Sequence, residues 1–187
     1  MKHCENHSFV EHLVPAYTSE ALGMDGVVLR NAVTEQRCET CGFVKSVIIP
    51  NLQGLIAAIA VGRALEPLKL RGNEIRFLRE ALEETAQKLA QTVEVLPTQI
   101  SRWENDAEVI SPRSEKLLRL YVVDKLARLT AIKVNRGVIY GMKIRAWRSL
   151  KEMLNMEFFL APAPRVTAKP AVPNKREPKW KTMKNAA

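Results

Sequence analysis

Residues 85–105 read TAQKLAQTVEVLPTQISRWEN, and their spacing decides the architecture expected of the chain. Ala86, Leu89, Ala90 and Val93 recur at helical intervals; Pro97 then opens a second short pattern with Ile100 and Trp103 at i and i+3. These apolar side chains turn inward and leave Thr98, Gln99 and Arg102 facing out. The stretch predicts a helix over 85–92, a turn over 93–96 and a helix over 97–105. With a helix over 74–82 before it and another begun at Ser111–Pro112 after it, this is a helix-turn-helix, whose third helix enters the major groove of DNA.

The outward residues suit that task. Arginine can bond a guanine edge through two N–H groups and glutamine an adenine edge, each good pair discriminating by roughly 1–3 kcal/mol against a wrong base. Arg102 and Gln99 are the candidates, with Pro97 and Thr98 beside them at the helix start. Ser101 is short enough to let backbone approach a phosphate. Lys88 and Arg113 are expected to hold phosphates, adding affinity without sequence information. The blander reading is a helical bundle whose Arg102 is simply solvated.

Upstream, the runs GVVLRNAV and FVKSVII, punctuated by Pro15, Gly23, Gly26 and Pro50, read as a small antiparallel sheet. NLQGLIAAIAVGRALEP is apolar almost all round and ends at Pro67, as a connecting helix packed on both sides would be. Downstream, Ile144, Trp147, Leu150, Leu154 and Phe158 suggest an amphipathic helix over about 142–158. Residues 161–187 hold five prolines and seven basic side chains against Glu177, with too little apolar surface to offset the entropy of ordering them.

Two cysteine-containing pairs carry the other chemical signal. CENH leaves two residues between Cys4 and His7, and CETC leaves two between Cys38 and Cys41. Each tight turn can present two ligands to one tetrahedral ion, and three thiolates with one imidazole form a closed shell. Such a shell leaves no open position for water, so the expected Zn2+, one per chain, is structural, holding a segment too small for its own core. Gly42 after Cys41 gives the turn a permissive backbone. His3 and His12 are alternatives to His7, and CETC alone could be a redox pair.

Composition narrows the class. Of the 187 residues, 29 are Lys or Arg against 20 Asp or Glu, a formal charge of +9 that favours a polyanionic partner. Seven basic residues less Glu177 place six of those charges after residue 160, so specific recognition must come from placement. No apolar run reaches the roughly 18–20 residues of a membrane span, and the start lacks a secretory pattern, so a cytoplasmic protein is expected, without a membrane partner. No glycine-rich phosphate loop or carboxylate constellation suggests an enzyme. An RNA-binding module is the weakest reading, since no aromatic platform stands beside the N-terminal basic residues, although Lys179, Trp180 and Lys181 could grip a strand.

The segment GNEIRFLREALEETAQKLAQTVEVLPTQISRWEN, followed by SPRSEKLLRLYV and preceded by the paired ligands thirty residues apart, resembles the MqsA/YgiT-type antitoxins with their Xre/Cro-type helix-turn-helix. The likeness covers roughly residues 1–125. It implies a homodimer on a palindromic operator, base reading from Thr98 and Arg102, repression of its own operon, and, in the alternative role of an antitoxin, a toxin docked on the zinc domain. The sequence departs from that family in its Cys–His first pair, in Ala86 where a phosphate-contacting glutamine is common, with Gln87 one step later, and in Glu94 and Asp106 where glycines are frequent, which suggests adjusted backbone there.

The expected fold is thus mainly α with a small β-containing zinc domain. A zinc-ribbon-like sheet (1–50) leads through a connecting helix (51–70) to a helix-turn-helix bundle (71–135), a C-terminal amphipathic helix (136–160) and a disordered basic tail (161–187).

Overall fold

The computed structural model describes residues 4, 7–18, 20–148, 154–161 and 178–182. Strands β1 (Phe9–Tyr17) and β2 (Val27–Cys38) pair antiparallel, from Phe9 opposite Cys38 to Tyr17 opposite Leu29. Pro15 interrupts the register. Between the Val14–Val33 and Ala16–Arg30 pairs one β1 residue faces two on β2, and Asn31 takes a left-handed φ of 48°. Proline has no N–H for the ladder, so a bulge on an edge strand is where it is tolerated.

The other edge of β2 is shared. Residues Thr34–Arg37 pair antiparallel with β3 (Val44–Ile48), while Val27–Leu29 pair parallel with β4 (Met156–Ala161). Strand β5 (Lys179–Thr182) then joins β4 antiparallel.

Helix α1 (Leu52–Leu65) lies between the sheet and the other helices, capped by Asn51, whose side chain accepts the Gly54 N–H at 2.9 Å. Its residues 57–64 are all buried, as an apolar helix with no polar face requires. One side meets β4 and β5, where Gly62 faces Phe158 and Thr182; another meets α2 (Gly72–Ala81) and α5 (Pro112–Leu126). Helices α3 (Ala86–Thr92) and α4 (Pro97–Glu104) stand between α2 and α5 in sequence, and α6 (Gly137–Tyr140) follows. Thr85 and Ser111 cap α3 and α5 by accepting the N–H groups of Lys88 and Ser114. The buried apolar residues of sheet and helices form one contiguous core.

The connector between α1 and α2 is held by buried charge. Arg63 donates to both carboxylate oxygens of Glu74, at 2.6 and 2.8 Å, and to the carbonyls of Leu68 and Lys69. Arg119 on α5 donates to Glu115 and to the carbonyls of Ala64, Glu66 and Leu68. Burial pushes the Arg119 guanidinium below the usual arginine range, and the hydrogen bond to Glu115 opposes that shift. Trp147 donates its indole N–H to the Lys69 carbonyl at 2.8 Å while Arg71 stacks on its ring. Backbone carbonyls that a bent connector would leave orphaned are thereby satisfied.

These observations correct the expected fold. The described residues are 41% helical and 25% strand, with a five-stranded sheet, so the class is mixed α/β rather than mainly α with a small zinc-ribbon-like sheet. Residues 142–148 form no helix and Met156–Ala161 is a strand, so the amphipathic helix expected over 142–158 is absent from its described part. Met156 and Phe158 are buried on alternate positions, a period-2 pattern hidden inside an apparent 3.6-residue one. Lys179–Thr182 is likewise not disordered: Trp180 is fully buried. Residues 162–177 and 183–187 of the expected tail lie outside the described residues, as do residues 149–153 of the expected helix.

Candidate metal centre and nucleic-acid interface

Cys38 ends β2 and Cys41 precedes β3, so the two flank the turn that reverses the chain. The Gly42 N–H closes this turn on the Cys38 carbonyl at 2.9 Å, and Gly42 has a φ of 73°, a left-handed value that suits a residue without a Cβ. The Glu39 N–H bonds the Ser8 carbonyl at 3.1 Å, tying the segment that carries Cys4 and His7 to the same turn. Cys4, His7, Cys38 and Cys41 converge there, with their ligand atoms all within 4.8 Å of one another. The Cys4 and Cys38 sulfurs are 4.0 Å apart, and the Cys41 sulfur is 3.4 Å from His7 Nδ1. Ligands on a tetrahedral ion at a metal–sulfur distance of about 2.3 Å would lie about 3.8 Å apart. The donor set and its spacing therefore fit a metal ion.

Electrostatics within the cluster are uneven. The Cys41 backbone N–H, followed by the His7 ring, holds the Cys38 thiol down to about 6, which favours the thiolate a metal needs. Burial first, then the neighbouring Cys38, pushes the Cys4 thiol up. His7 also sits 5.4 Å from the rings of both Phe9 and Phe43, and Lys45 lies over Phe9. That aromatic group was invisible in the sequence, because only the β1–β2–β3 pairing brings residues 7, 9 and 43 together. His12 points from β1, exposed, at the position opposite Glu35, outside the cluster; His3 lies outside the described residues.

In the helical half, α3 and α4 are joined by the turn 93–96. Ile100 is fully buried and Trp103 nearly so. Pro97, Thr98, Ser101 and Arg102 are exposed and Gln99 is half-buried. Gln87 and Lys88 are exposed in the first turn of α3, and Arg113 is exposed in the first turn of α5. Of this expected contact set, Gln99 and Arg102 are brought together by a residue the sequence reading missed. Gln99 Nε2 donates to Glu108 at 3.3 Å, and the Arg102 guanidinium lies 3.8 Å from the other oxygen of the same carboxylate.

Glu94 and Asp106 adopt φ values of 57° and 53°. The backbone at these positions is therefore left-handed although neither residue is glycine. Asp106 is stabilised there by its carboxylate, which accepts the Gly72 N–H at 2.7 Å. A side chain at Gly72 would come within 2.7 Å of the Trp103 and Glu104 carbonyl oxygens, so α2 starts hard against the end of α4. Arg79, paired with Glu104 at 2.6 Å, clamps that end further. The buried arginine pair was foreshadowed by Arg63 alone within an apolar run and by the i, i+4 spacing of Glu115 and Arg119.

Among the described residues, no helix is long and apolar enough to cross a membrane. Searches of protein-family models, curated proteins and solved structures returned no match to this chain.

Proposed function

We propose that the chain is a sequence-specific DNA-binding regulator of the MqsA/YgiT-type antitoxin family, acting as a homodimeric repressor of its own operon on a palindromic operator. Helix α4 reads bases through Thr98, Gln99 and Arg102, while Pro97, Ser101, Gln87, Lys88 and Arg113 approach the backbone. The carrying observation is the two-sidedness of α4: Ile100 and Trp103 pin it from beneath while Thr98, Ser101 and Arg102 stay exposed. Two such helices, about 34 Å apart, would read successive major grooves. The cluster of Cys4, His7, Cys38 and Cys41 holds one structural Zn2+, consistent with three soft thiolates and one imidazole in a closed shell.

Selection from a randomised duplex pool tests this reading. The wild-type protein should enrich an inverted repeat, and Arg102→Ala should lose the preference at one position per half-site. No enriched sequence, or enrichment unchanged by Arg102→Ala, would falsify the assignment of α4.

A second role, neutralising a toxin through the metal-binding segment, draws support from Leu13 and Phe43, which are 60% and 56% exposed there. Growth arrest by the product of an adjacent gene, relieved by wild type and not by a Leu13→Asp, Phe43→Asp variant, is the expected result. Equal relief by both removes that role from this surface.

A further inference from the structure

Resting on the base-reading role of α4, we propose that Glu108 is a specificity-determining residue. In the free protein its carboxylate holds the donors of Gln99 and Arg102, and a cognate base edge displaces it where an unrelated sequence does not.

The geometry is specific. One carboxylate oxygen accepts Gln99 Nε2 at 3.3 Å, and the other lies 3.8 Å from the Arg102 guanidinium. The carboxylate is delivered there by the backbone. The Arg102 carbonyl accepts the N–H groups of both Ala107 and Glu108, at 2.9 and 3.3 Å, and the Trp103 carbonyl accepts that of Asp106 at 3.1 Å. Asp106, left-handed and bonded to Gly72, fixes the loop to α2. Glu108 is therefore held beside the two side chains best suited to read bases, at the end of the helix that presents them.

The strength of the contact sets its consequence. The Arg102 and Glu108 side chains are 67% and 38% exposed, and an ion pair so open to water shifts an equilibrium by only about two- to fivefold. A guanine edge bonded through two N–H groups overcomes that easily. On an unrelated sequence Arg102 finds only phosphate or water and keeps its carboxylate partner, so nothing has to be broken there. Because the contact is broken only on the cognate sequence, Glu108 weakens binding to the right sequence more than to wrong ones and so sets how strong a base match must be.

The test uses the full chain as wild type, Glu108→Gln, Arg102→Ala and the double variant. The probes are a duplex selected by the wild type from a randomised pool and an unrelated duplex of equal length, with affinities read by fluorescence anisotropy at fixed salt. Glu108→Gln should bind the selected duplex about threefold tighter and leave the unrelated duplex within about twofold, so that discrimination rises. The gain should vanish when Arg102 is already alanine.

An equal gain on both duplexes that persists without Arg102 would reflect lost charge alone and overturn the proposal. So would weaker binding of the selected duplex, which would make Glu108 a support for the readers. A silent Glu108 in a protein whose selectivity still depends on Arg102 sinks this inference alone, whereas a wild type that selects no sequence sinks the DNA-reading function and this inference with it.

Discussion

The indole N–H of Trp180 donates to the carbonyl oxygen of Pro50 at 3.1 Å, across 130 residues of chain. The Asn51 carbonyl offers a second acceptor at 3.2 Å, and Asn51, while capping α1, donates its own amide to the Pro178 carbonyl. The strand at the far end of the sequence thus completes the start of the central helix and one edge of the sheet.

Trp180→Ala should cost about 3–5 kcal/mol, the range for emptying a large aromatic site in a packed core. Urea denaturation checks it, and Trp180→Phe, which keeps most of the volume and loses the N–H, should cost less. A neutral Trp180→Ala would mean that β5 is not part of the cooperative fold.

Arg63→Met leaves the Glu74 carboxylate buried without its ionic partner, while the Leu68 and Lys69 carbonyls keep Arg119 and Trp147 as donors. Breaking one side of a buried pair is expected to destabilise by about 3–5 kcal/mol. By contrast Arg102→Ala, at an exposed site, should change stability by no more than about 0.5 kcal/mol. Melting temperatures of the two variants would show whether loss of DNA binding by Arg102→Ala reflects recognition rather than unfolding.

Elemental analysis should find one zinc per chain in the wild type and little in Cys38→Ser. Chelation should expose the amides of the β1–β2–β3 tip to hydrogen exchange while those of α2 to α5 stay protected, since the helices have their own buried residues. A metal-free protein with an undisturbed tip would count against the centre.

Burial, then the hydrogen bond to Glu84, raises the Tyr121 hydroxyl above the ordinary tyrosine range, with Thr92 opposing. The folded state therefore keeps this proton to a higher pH than the unfolded chain. The associated stability is fully present below about pH 10, the unfolded value, and is lost as pH rises through the folded one. Denaturation midpoints should show the wild type losing stability relative to Tyr121→Phe as pH rises from neutrality to above about 10, the unfolded tyrosine value. A constant difference between the two proteins would refute the shift.

Much of the helical half was legible because its signals are local. Thr85, Pro97 and Ser111–Pro112 mark helix starts within one turn of the residues they organise, and Ile100 with Trp103 defines a face within a single short helix. The metal cluster was legible for a related reason: two-residue spacing forces paired ligands onto one turn, whatever surrounds it. Glu108 was not, since nothing in the string says that the loop after α4 folds back on Arg102.

The sequence by itself determined where the helices around α4 begin and which four side chains could share an ion, because caps, prolines and close spacings act over a few residues. Tertiary structure alone decided that Met156–Ala161 and Lys179–Thr182 are strands. Their apolar patterns fit either helix or coil in isolation, and only pairing with Val27–Leu29 and burial of Trp180 against the start of α1, more than a hundred residues away, outweighs the entropy of extending them.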